Sequence, residues 1–327
     1  MYPSRADPAS GVFVEQQVRS LQALGVEVDV LHLDRTGLGP RAYVGLPAKL
    51  RHAIERTRPT VVDVAYGGVM AARVTEAVRN RPVIVHYRGS DLLGSPAEPL
   101  LRRMAISVGV RASLRAAARA AAIIVMSEAM RAAIPPGVAG RKVTVLPDGI
   151  DLERFKPLNR DTSRAQLGWT EGGLHVLFPA APNRPEKRYG LAAAAVEATR
   201  AARPAVELHT LGRVPHAEVP VWINASDVVL LTSTHEGSAN AVKEALACNV
   251  PVVTVDAGDA RQRIADVPGC YIAEATEADL ADKLQLVMAT GGRVAGRAAV
   301  ASLALDRTAE RLAAIYEAVA RPRLSGG

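Results

Sequence analysis

The sequence predicts an α/β protein with two domains, each built around a largely parallel sheet. Short apolar runs rich in valine and leucine alternate with helical patterns along almost all of the 327 residues. This alternation is typical of βα units, in which a helix leads the chain back to the next parallel strand. A turn at residues 147–151 interrupts the series, which then begins again. The length is sufficient for two compact domains, so we expect one sheet on each side of the turn.

The predicted elements of the first half follow in chain order. A helix precedes the first strand, a Gly67-Gly68 turn precedes the second helix, and a long helix rich in alanine and arginine precedes the fourth strand. The predicted strands are 26–31, 61–66, 82–87, 122–127 and 142–147, and the predicted helices are 13–24, 69–80 and 99–121.

The second half repeats this pattern. Its predicted strands are 175–179, 206–211, 228–231, 250–255 and 270–273, and a terminal helix is predicted over 306–321. Between the halves, Asp148-Gly149 favours a turn, and Phe155-Lys156-Pro157 leads into a polar run. We therefore expect a first domain over 1–153, a second over 154–305, and a helix and tail over 306–327 that packs back toward the first domain.

Composition argues against several classes of protein. No apolar run reaches the roughly 18 residues of a membrane span, and no charged and apolar leader opens the chain. Cys248 and Cys270 are too few for a disulfide framework or a zinc set, which favours a cytoplasmic protein. The net charge of +7 suits anionic partners, but only 4% of the residues are aromatic, so we expect no nucleic-acid binding.

The most informative segment is 231–259, which is predicted as strand, acidic turn, helix and strand. Glu236 opens the turn Gly237-Ser238-Ala239-Asn240, and Glu244 follows eight positions after Glu236. Small residues let a phosphate approach the backbone, and the first N–H groups of a helix favour an anion. Glu244 would lie about two turns into the helix, where it can accept hydrogen bonds from a ribose diol. The alternative is a pair of solvated carboxylates around an ordinary helix start.

Cationic residues follow the first strand of the second half. Arg184 and Lys187, followed by Arg188, lie where a parallel sheet presents its ligand edge, and the first two are suited to a diphosphate. No Asp-x-Asp cluster follows a strand, so we expect no metal at this site. The alternative is that these cations are ordinary loop charges.

The segment EGSANAVKEALACNVPVV (236–253) resembles the donor-site motif of family-four glycosyltransferases, in which two glutamates are spaced E-x7-E. The resemblance continues through VMSEAM and KVTVLPDGIDLERFKP within 125–157, and through VPVWINASDVVLLTS (219–233), so it covers nearly the whole chain. It implies the GT-B fold, with two Rossmann-like domains that face each other across a cleft. It also implies a nucleotide-diphosphate sugar of UDP or GDP type as donor substrate, retention at the anomeric carbon and no cofactor.

The resemblance assigns roles to individual residues. Glu236 would orient the sugar hydroxyls, and Glu244 would bind the ribose. Lys187 matches the phosphate-binding lysine of the family, whereas the family arginine falls on Pro182, and we expect Arg184 to replace it from a shifted position.

The first domain would hold the acceptor, and here the sequence departs from the family. Arg88 occupies the place of a family histidine that contacts the transferred sugar, which makes an anionic sugar or acceptor conceivable. Gly11 matches the glycine of the loop near the diphosphate. His86 is either a second polar group of the site or a core residue, and Asp91 is the cap of the next turn in the simpler interpretation.

Two further expectations concern the first domain. The first strand of the family normally precedes Tyr2-Pro3-Ser4, and the sequence starts at Met1, so we expect its sheet to lack about one strand. Arginines also share one face of the helix 99–121, where they would contact an anionic membrane or simply form a solvated face. These arginines are Arg103, Arg111, Arg115 and Arg119.

The predicted function is metal-independent, retaining transfer of a sugar from a nucleotide-diphosphate sugar to a hydroxyl acceptor that the residues do not identify. One alternative is a nucleotide-sugar epimerase, for which His86 and Asp91 are the available acid/base candidates. The other is a non-catalytic binder of nucleotide sugars.

Overall fold

The computed structural model describes residues 11–33, 39–94, 100–139, 142–212 and 214–321. Contacts between Cα atoms divide the chain into two units. The first unit comprises Met1–Gly149 and Leu305–Gly327, and the second comprises Ile150–Ala304. The chain thus changes units inside the turn at 147–151, a few residues before the predicted boundary, and returns to the first unit with its terminal helix. Both units are α/β with parallel sheets, which confirms the predicted fold class.

The first unit contains a four-stranded parallel sheet in the order β1-β2-β3-β4. The strands are β1 (Val62–Val64), β2 (Val83–Tyr87), β3 (Ala122–Val125) and β4 (Lys142–Val145). The helices are α1 (Val12–Ala23), α2 (Leu46–Thr57), α3 (Gly68–Ala77), α4 (Ser90–Leu93), α5 (Leu100–Arg119), α6 (Glu128–Ala132), α7 (Pro136–Ala139) and, at the C-terminus, α15 (Leu305–Ala320), with a 3-10 helix at Gly39–Tyr43. All five residues of β2 and all four of β3 are buried, as expected for central strands of a sheet covered on both faces.

One predicted strand of this unit is wrong. Residues 26–31 form no strand, although their valines and leucines alternate with polar residues. A strand requires a hydrogen-bonded neighbour, and within the described residues β1 pairs only with β2. Val26 and Val28 instead pack as partly buried residues against the core of this unit. The expected absence of an earlier strand concerns residues that lie outside the described part of the chain.

The second unit contains a five-stranded parallel sheet in the order β6-β5-β7-β8-β9. The strands are β5 (Leu174–Phe178), β6 (Val206–Thr210), β7 (Val228–Leu231), β8 (Val252–Val255) and β9 (Tyr271–Ala273). The helices are α8 (Arg160–Leu167), α9 (Tyr189–Arg200), α10 (Val219–Ala225), α11 (Asn240–Ala247), α12 (Ala260–Ile264), α13 (Glu277–Thr290) and α14 (Gly296–Val300), with 3-10 helices at Pro185–Lys187 and Ala301–Leu303.

The strand order of the second unit reverses once. From β5 the chain first adds β6 on one side and then β7 on the other. At such a reversal the connecting segments leave the sheet in opposite directions, which opens a crevice beyond the carboxyl ends of the two strands. The described strands of the first unit run in simple sequence order and contain no such reversal. The fold therefore directs attention to the segments that follow β5 and β7.

In the described part of the chain, none of the helices has the combination of length and apolar character needed to cross a bilayer.

Candidate functional site

The loops that follow β5 and β7 meet at the reversal of strand order. The Lys187 ammonium in the first loop forms an ion pair with the Glu236 carboxylate in the second. Both side chains are sheltered, with 17% and 16% of their surface exposed. The structure therefore brings together two residues, 49 positions apart, that the sequence motif and the basic loop had each predicted separately for one site.

Backbone contacts hold these two loops together. The Thr232 hydroxyl donates to the Lys187 carbonyl at 2.7 Å, and the Thr234 N–H donates to the Glu186 carbonyl at 2.9 Å. Arg188 donates from Nε to the Thr232 carbonyl at 2.5 Å, from a backbone with φ of 53°. Since backbone carbonyls of each loop accept hydrogen bonds from the other, the position of Lys187 beside Glu236 is set by these contacts as well as by the ion pair.

Helix α11 begins directly after this ion pair. Its N-cap residue, Ala239, has no side chain that accepts a hydrogen bond from the first turn. The first backbone N–H groups of a helix lack intrahelical partners and form the positive end of its dipole. The turn Gly237-Ser238-Ala239-Asn240 thus lies where an anionic group would be stabilised, next to the ammonium of Lys187.

A buried carboxylate supports the same turn. Asp259, 5% exposed, accepts at Oδ2 from the Ser238 hydroxyl at 2.9 Å and from Arg263 Nε at 2.8 Å. Among the described residues, no hydrogen-bond donor reaches Asp259 Oδ1 or Asn240 Oδ1, although both oxygens are buried. Buried acceptors without partners are costly, so they are suited to a ligand that brings hydroxyl groups or water.

Gly258 fits closely against the acidic turn. Its φ of 66° lies in the left-handed region, and a Cβ at this position would lie 3.0 Å from the carbonyl oxygens of Glu236 and Gly237. Only glycine combines that backbone conformation with so close an approach. The loop after β8 therefore helps to fix the main chain at Glu236.

Glu244 lies on α11 within a second polar group. His216 Nε2 is 3.7 Å from Glu244 Oε1, and Arg154 Nη1 lies 3.0 Å from His216 Nδ1. His216 follows β6 at the carboxyl edge of the sheet and was not predicted as a site residue. Its place after a strand end was the available signal, but an isolated histidine in a loop carries no motif.

Arg184 lies on the same loop as Lys187 but is directed differently. It is 55% exposed, and its Nε donates to Glu186 Oε1 at 2.7 Å. Burial alone would raise the pKa of Glu186, but hydrogen bonding to its own backbone N–H and the charge of Arg184 hold that pKa below its ordinary value. Lys187 thus lies beside Glu236, whereas Arg184 is paired at the exposed part of the loop.

Arg88 lies in the first unit, in a buried polar group. Its side chain is 5% exposed and pairs with Asp148, donates from Nε to the Ala65 carbonyl at 2.9 Å, and donates from Nη2 to Gln17 Oε1 at 3.0 Å. The guanidinium also lies over the Phe13 ring, 4.7 Å from its centroid. Burial would lower the pKa of Arg88, but Asp148 raises it, so the charge persists. The Arg88 guanidinium, which was predicted to contact the transferred sugar, is thus hydrogen-bonded to acceptors of the protein itself.

The remaining candidates of the first unit have structural contacts. His86, 2% exposed, lies with Nε2 2.9 Å from Asp63 Oδ2. Asp91 accepts from the backbone N–H groups of Gly67 and Gly89 at 2.9 Å each, and burial raises its pKa. Gly11, with φ of 74°, precedes α1, and the rest of its predicted loop, residues 8–10, lies outside the described residues.

Two families match the chain. Residues 10–154 match the family described as Glycosyltransferase Family 4, and residues 176–290 match the one described as Glycosyl transferases group 1. A D-inositol 3-phosphate glycosyltransferase of Arthrobacter sp. (strain FB24) is 31% identical over 190 residues, which cover 48% of this chain and 45% of that protein. The match to a protein of the same description from Geodermatophilus obscurus covers 49% of that protein, so the chain spans about half the length of these curated relatives.

Solved structures share the fold. Sucrose-phosphate synthase of Thermosynechococcus elongatus superposes with a TM-score of 0.74 at 16% identity. The match covers 94% of this chain and 92% of that one. Anabaena HepE in complex with UDP and glucose gives a TM-score of 0.66 at 19% identity, over 92% of this chain and 89% of that one. The two parallel-sheet units and these neighbours show the GT-B fold. The chain belongs to the family-four, or group 1, glycosyltransferases, as the two family matches together span most of it.

Proposed function

We propose that this glycosyltransferase takes its sugar from a nucleotide-diphosphate donor and transfers it to a hydroxyl acceptor with retention and without a metal ion. The Lys187–Glu236 ion pair carries this proposal, because it lies at the strand reversal of the second unit, directly before the N-terminus of α11. One place thus offers a cation and the positive end of a helix dipole for a diphosphate, and a carboxylate for sugar hydroxyls.

In the proposed reaction the bond between the anomeric carbon and the diphosphate oxygen breaks, and its electron pair goes to the diphosphate. Lys187 and the first N–H groups of α11 stabilise that charge, with Arg184 joining from the exposed part of the loop. The acceptor hydroxyl attacks from the same face, and its proton passes to the departing phosphate oxygen. Glu236 orients the sugar hydroxyls, and Glu244 accepts from the ribose.

The donor is proposed to be of UDP or GDP type. HepE, a neighbour in fold, has been solved with UDP and with UDP-glucose. Relatives in sequence are named for transfer to D-inositol 3-phosphate, which is a polyol and therefore a hydroxyl acceptor. For this chain the pairing of Arg88 with Asp148 neutralises the group that would select an anionic sugar, so an uncharged donor sugar is favoured.

Donor binding can be tested by calorimetry with UDP and GDP on wild type and Glu244→Ala. A carboxylate that accepts two ribose hydroxyls should contribute more than a single neutral hydrogen bond, so we expect at least tenfold weaker binding. Glu197→Ala, which removes an exposed carboxylate of α9, is the matched control and should bind as wild type does. Equal affinity of Glu244→Ala and wild type would contradict the assignment.

Turnover separates an enzyme from a binder. Slow hydrolysis of the sugar nucleotide without acceptor is expected from wild type and should fall in Glu236→Gln. Binding of the nucleotide with no hydrolysis and no transfer to any hydroxyl acceptor would favour the non-catalytic alternative. The epimerase alternative gains no support from the site, because Asp63 and backbone N–H groups occupy the two candidate acid/base residues, His86 and Asp91.

We further propose that the protein is cytoplasmic and contacts the inner, anionic face of a membrane through α5. One side of this helix is apolar in its first turns, where Leu101 is 83% exposed, Met104 60% and Val108 56%. The same side continues at three- and four-residue spacing with Arg111, Arg115 and Arg119, all exposed. Exposed apolar residues beside arginines favour the interface of an anionic bilayer.

Sedimentation with vesicles tests this contact. Wild type should bind phosphatidylglycerol vesicles, bind phosphatidylcholine vesicles less, and release in high salt. Leu101→Ser with Met104→Ser should reduce the bound fraction, whereas Leu286→Ser, at an exposed leucine of α13, should not. Equal binding of the two variants would exclude α5 as the membrane contact.

A further inference from the structure

Three groups that can bind a metal lie together on the edge of the second sheet, away from the donor loops. His175 is the second residue of β5, and Glu207 and His209 lie on the neighbouring β6, where His175 pairs in register with Glu207. One ligand atom from each of the three lies within 4.8 Å of the others. His175 Nδ1 is 2.9 Å from His209 Nε2, which is 3.8 Å from Glu207 Oε2.

The hydrogen bonds fix which nitrogen of His175 carries a lone pair. His175 Nε2 lies 3.0 Å from the Thr170 carbonyl, which can only accept, so Nε2 carries the proton. His175 Nδ1 is then unprotonated and directed at His209 Nε2. In the neutral His209 ring, a lone pair is available on Nε2 when the ring proton lies on Nδ1. His175 Nδ1 and His209 Nε2 can therefore bind one cation together while both rings stay neutral.

Surrounding groups orient the three ligands. Thr170 contributes twice, because its carbonyl accepts from His175 and its hydroxyl donates to Glu207 Oε1 at 3.1 Å. Trp169 stacks on the His209 ring, with centroids 3.6 Å apart and planes 11° apart. Such outer contacts, which set the tautomer and the ring plane, are characteristic of metal-binding histidines.

We propose that His175, His209 and Glu207 form a binding site for a divalent transition-metal ion, with Zn²⁺ as the best match. Two imidazoles and a carboxylate suit zinc, and a solvent molecule would complete four-coordination. Nitrogen ligands of tetrahedral zinc lie roughly 3.3 Å apart, so the histidine pair has to open by about 0.4 Å. Glu207 is 47% exposed and His209 15%, which provides access from solvent to the otherwise buried His175.

The position gives this site a structural role. β6 is an edge strand, and the ligands join it to β5, while Trp169 and Thr170 bring in the segment after α8. The ion would thus stabilise the second unit, and it takes no part in the sugar transfer proposed above. Its test needs no activity measurement, so the two proposals can fail independently.

Equilibrium dialysis of untagged wild-type protein against ZnCl₂, followed by metal analysis, should give one zinc per chain, and zinc should raise the melting temperature. His209→Phe keeps a ring for stacking on Trp169 and removes a ligand nitrogen, so we expect at least tenfold weaker zinc binding. Glu207→Gln, at an exposed position, tests the third ligand without threatening the core. His52→Gln removes an exposed histidine outside the cluster and is the matched control.

Cobalt provides a spectroscopic readout of the same site. Co²⁺ should give the visible absorption of a tetrahedral complex and should quench tryptophan fluorescence, since the two tryptophans, Trp169 and Trp222, lie together with ring centroids 5.5 Å apart. Absence of zinc from dialysed wild type would overturn the proposal. So would zinc binding that is equal in wild type, His209→Phe and Glu207→Gln, because the metal would then bind elsewhere.

Discussion

Lys187 and Glu236 form an ion pair across the strand reversal of the second unit. The two proposed roles, binding the diphosphate and orienting the sugar, thus belong to groups that neutralise each other before the donor arrives. Donor binding has to exchange partners, since Lys187 would turn to phosphate oxygens and Glu236 to sugar hydroxyls. The free protein keeps both charges paired in a sheltered place, where an unpaired charge would be costly.

Lys187→Met should therefore affect both roles. Loss of one preorganised cation at the leaving group should reduce kcat by about 10²- to 10³-fold. The change also leaves Glu236 unpaired, so the double variant Lys187→Met/Glu236→Gln should be less impaired in nucleotide binding than the two single effects predict. Lys283→Met, which removes a lysine paired with Asp279 on α13, should retain wild-type kinetics. Steady-state rates and calorimetry on wild type, Lys187→Met, Glu236→Gln and their double variant would measure this coupling, with Lys283→Met as the control.

Gly258→Ala should disturb the acidic turn from outside. The new Cβ would meet the Glu236 and Gly237 carbonyl oxygens at 3.0 Å, in a backbone conformation that alanine rarely adopts. We expect a loss of about 1–3 kcal/mol in unfolding free energy, together with weaker donor binding because the main chain at Glu236 shifts. Gly172→Ala, where a Cβ meets nothing within 4 Å, is the control for glycine replacement in the same unit. A Gly258→Ala protein as stable as this control would contradict the close packing.

The sequence was most informative where local pattern and chemistry coincide. The E-x7-E spacing and the basic loop predicted Glu236, Glu244 and Lys187, because parallel strands deliver such loops to one edge. Their pairing required the strand order, which no local pattern reveals. The strand over 26–31 failed for a related reason, since alternation supplies a strand-like pattern but not a hydrogen-bonded neighbour.

Arg88 shows the same limit from the side of charge. In the sequence, Arg88 follows a strand and is therefore predicted to bind an anion. Only the structure shows that Asp148, 60 positions away, neutralises it. The cluster of His175 and His209 was not predicted from the sequence either, because the two residues lie 34 positions apart on neighbouring strands.

Arg88→Met should act on stability more than on sugar recognition. Removing the arginine of this buried ion pair takes away the cation beside Asp148, and such a loss typically costs about 3–5 kcal/mol. Arg88→Met/Asp148→Leu removes both charges and should recover part of that loss. Denaturant unfolding of the three proteins measures the stability, and donor titration of the folded fraction measures recognition. A large loss of donor affinity with unchanged stability would instead favour the direct sugar contact.

The two thiols should be unreactive in the native protein. Burial raises the pKa of Cys248 to about 12, and the nearby Glu244 carboxylate adds to the shift, while burial raises the pKa of Cys270 to about 11. The reactive species is the thiolate, so labelling by a disulfide reagent at pH 8 should be slow until the protein is unfolded. The same pKa shifts make stability depend on pH. The unfolded thiols have a pKa near 9.0, so the folded chain holds these protons more tightly, and this contribution to the unfolding free energy is fully present below pH 9. The contribution should be lost as the pH rises from 9 toward 12. Cys248→Ala removes the larger of the two contributions, and its unfolding free energy should fall less steeply over that range than that of wild type, as alkaline urea titrations would measure. Rapid labelling of both thiols in native wild type would show that they are more accessible than this packing allows.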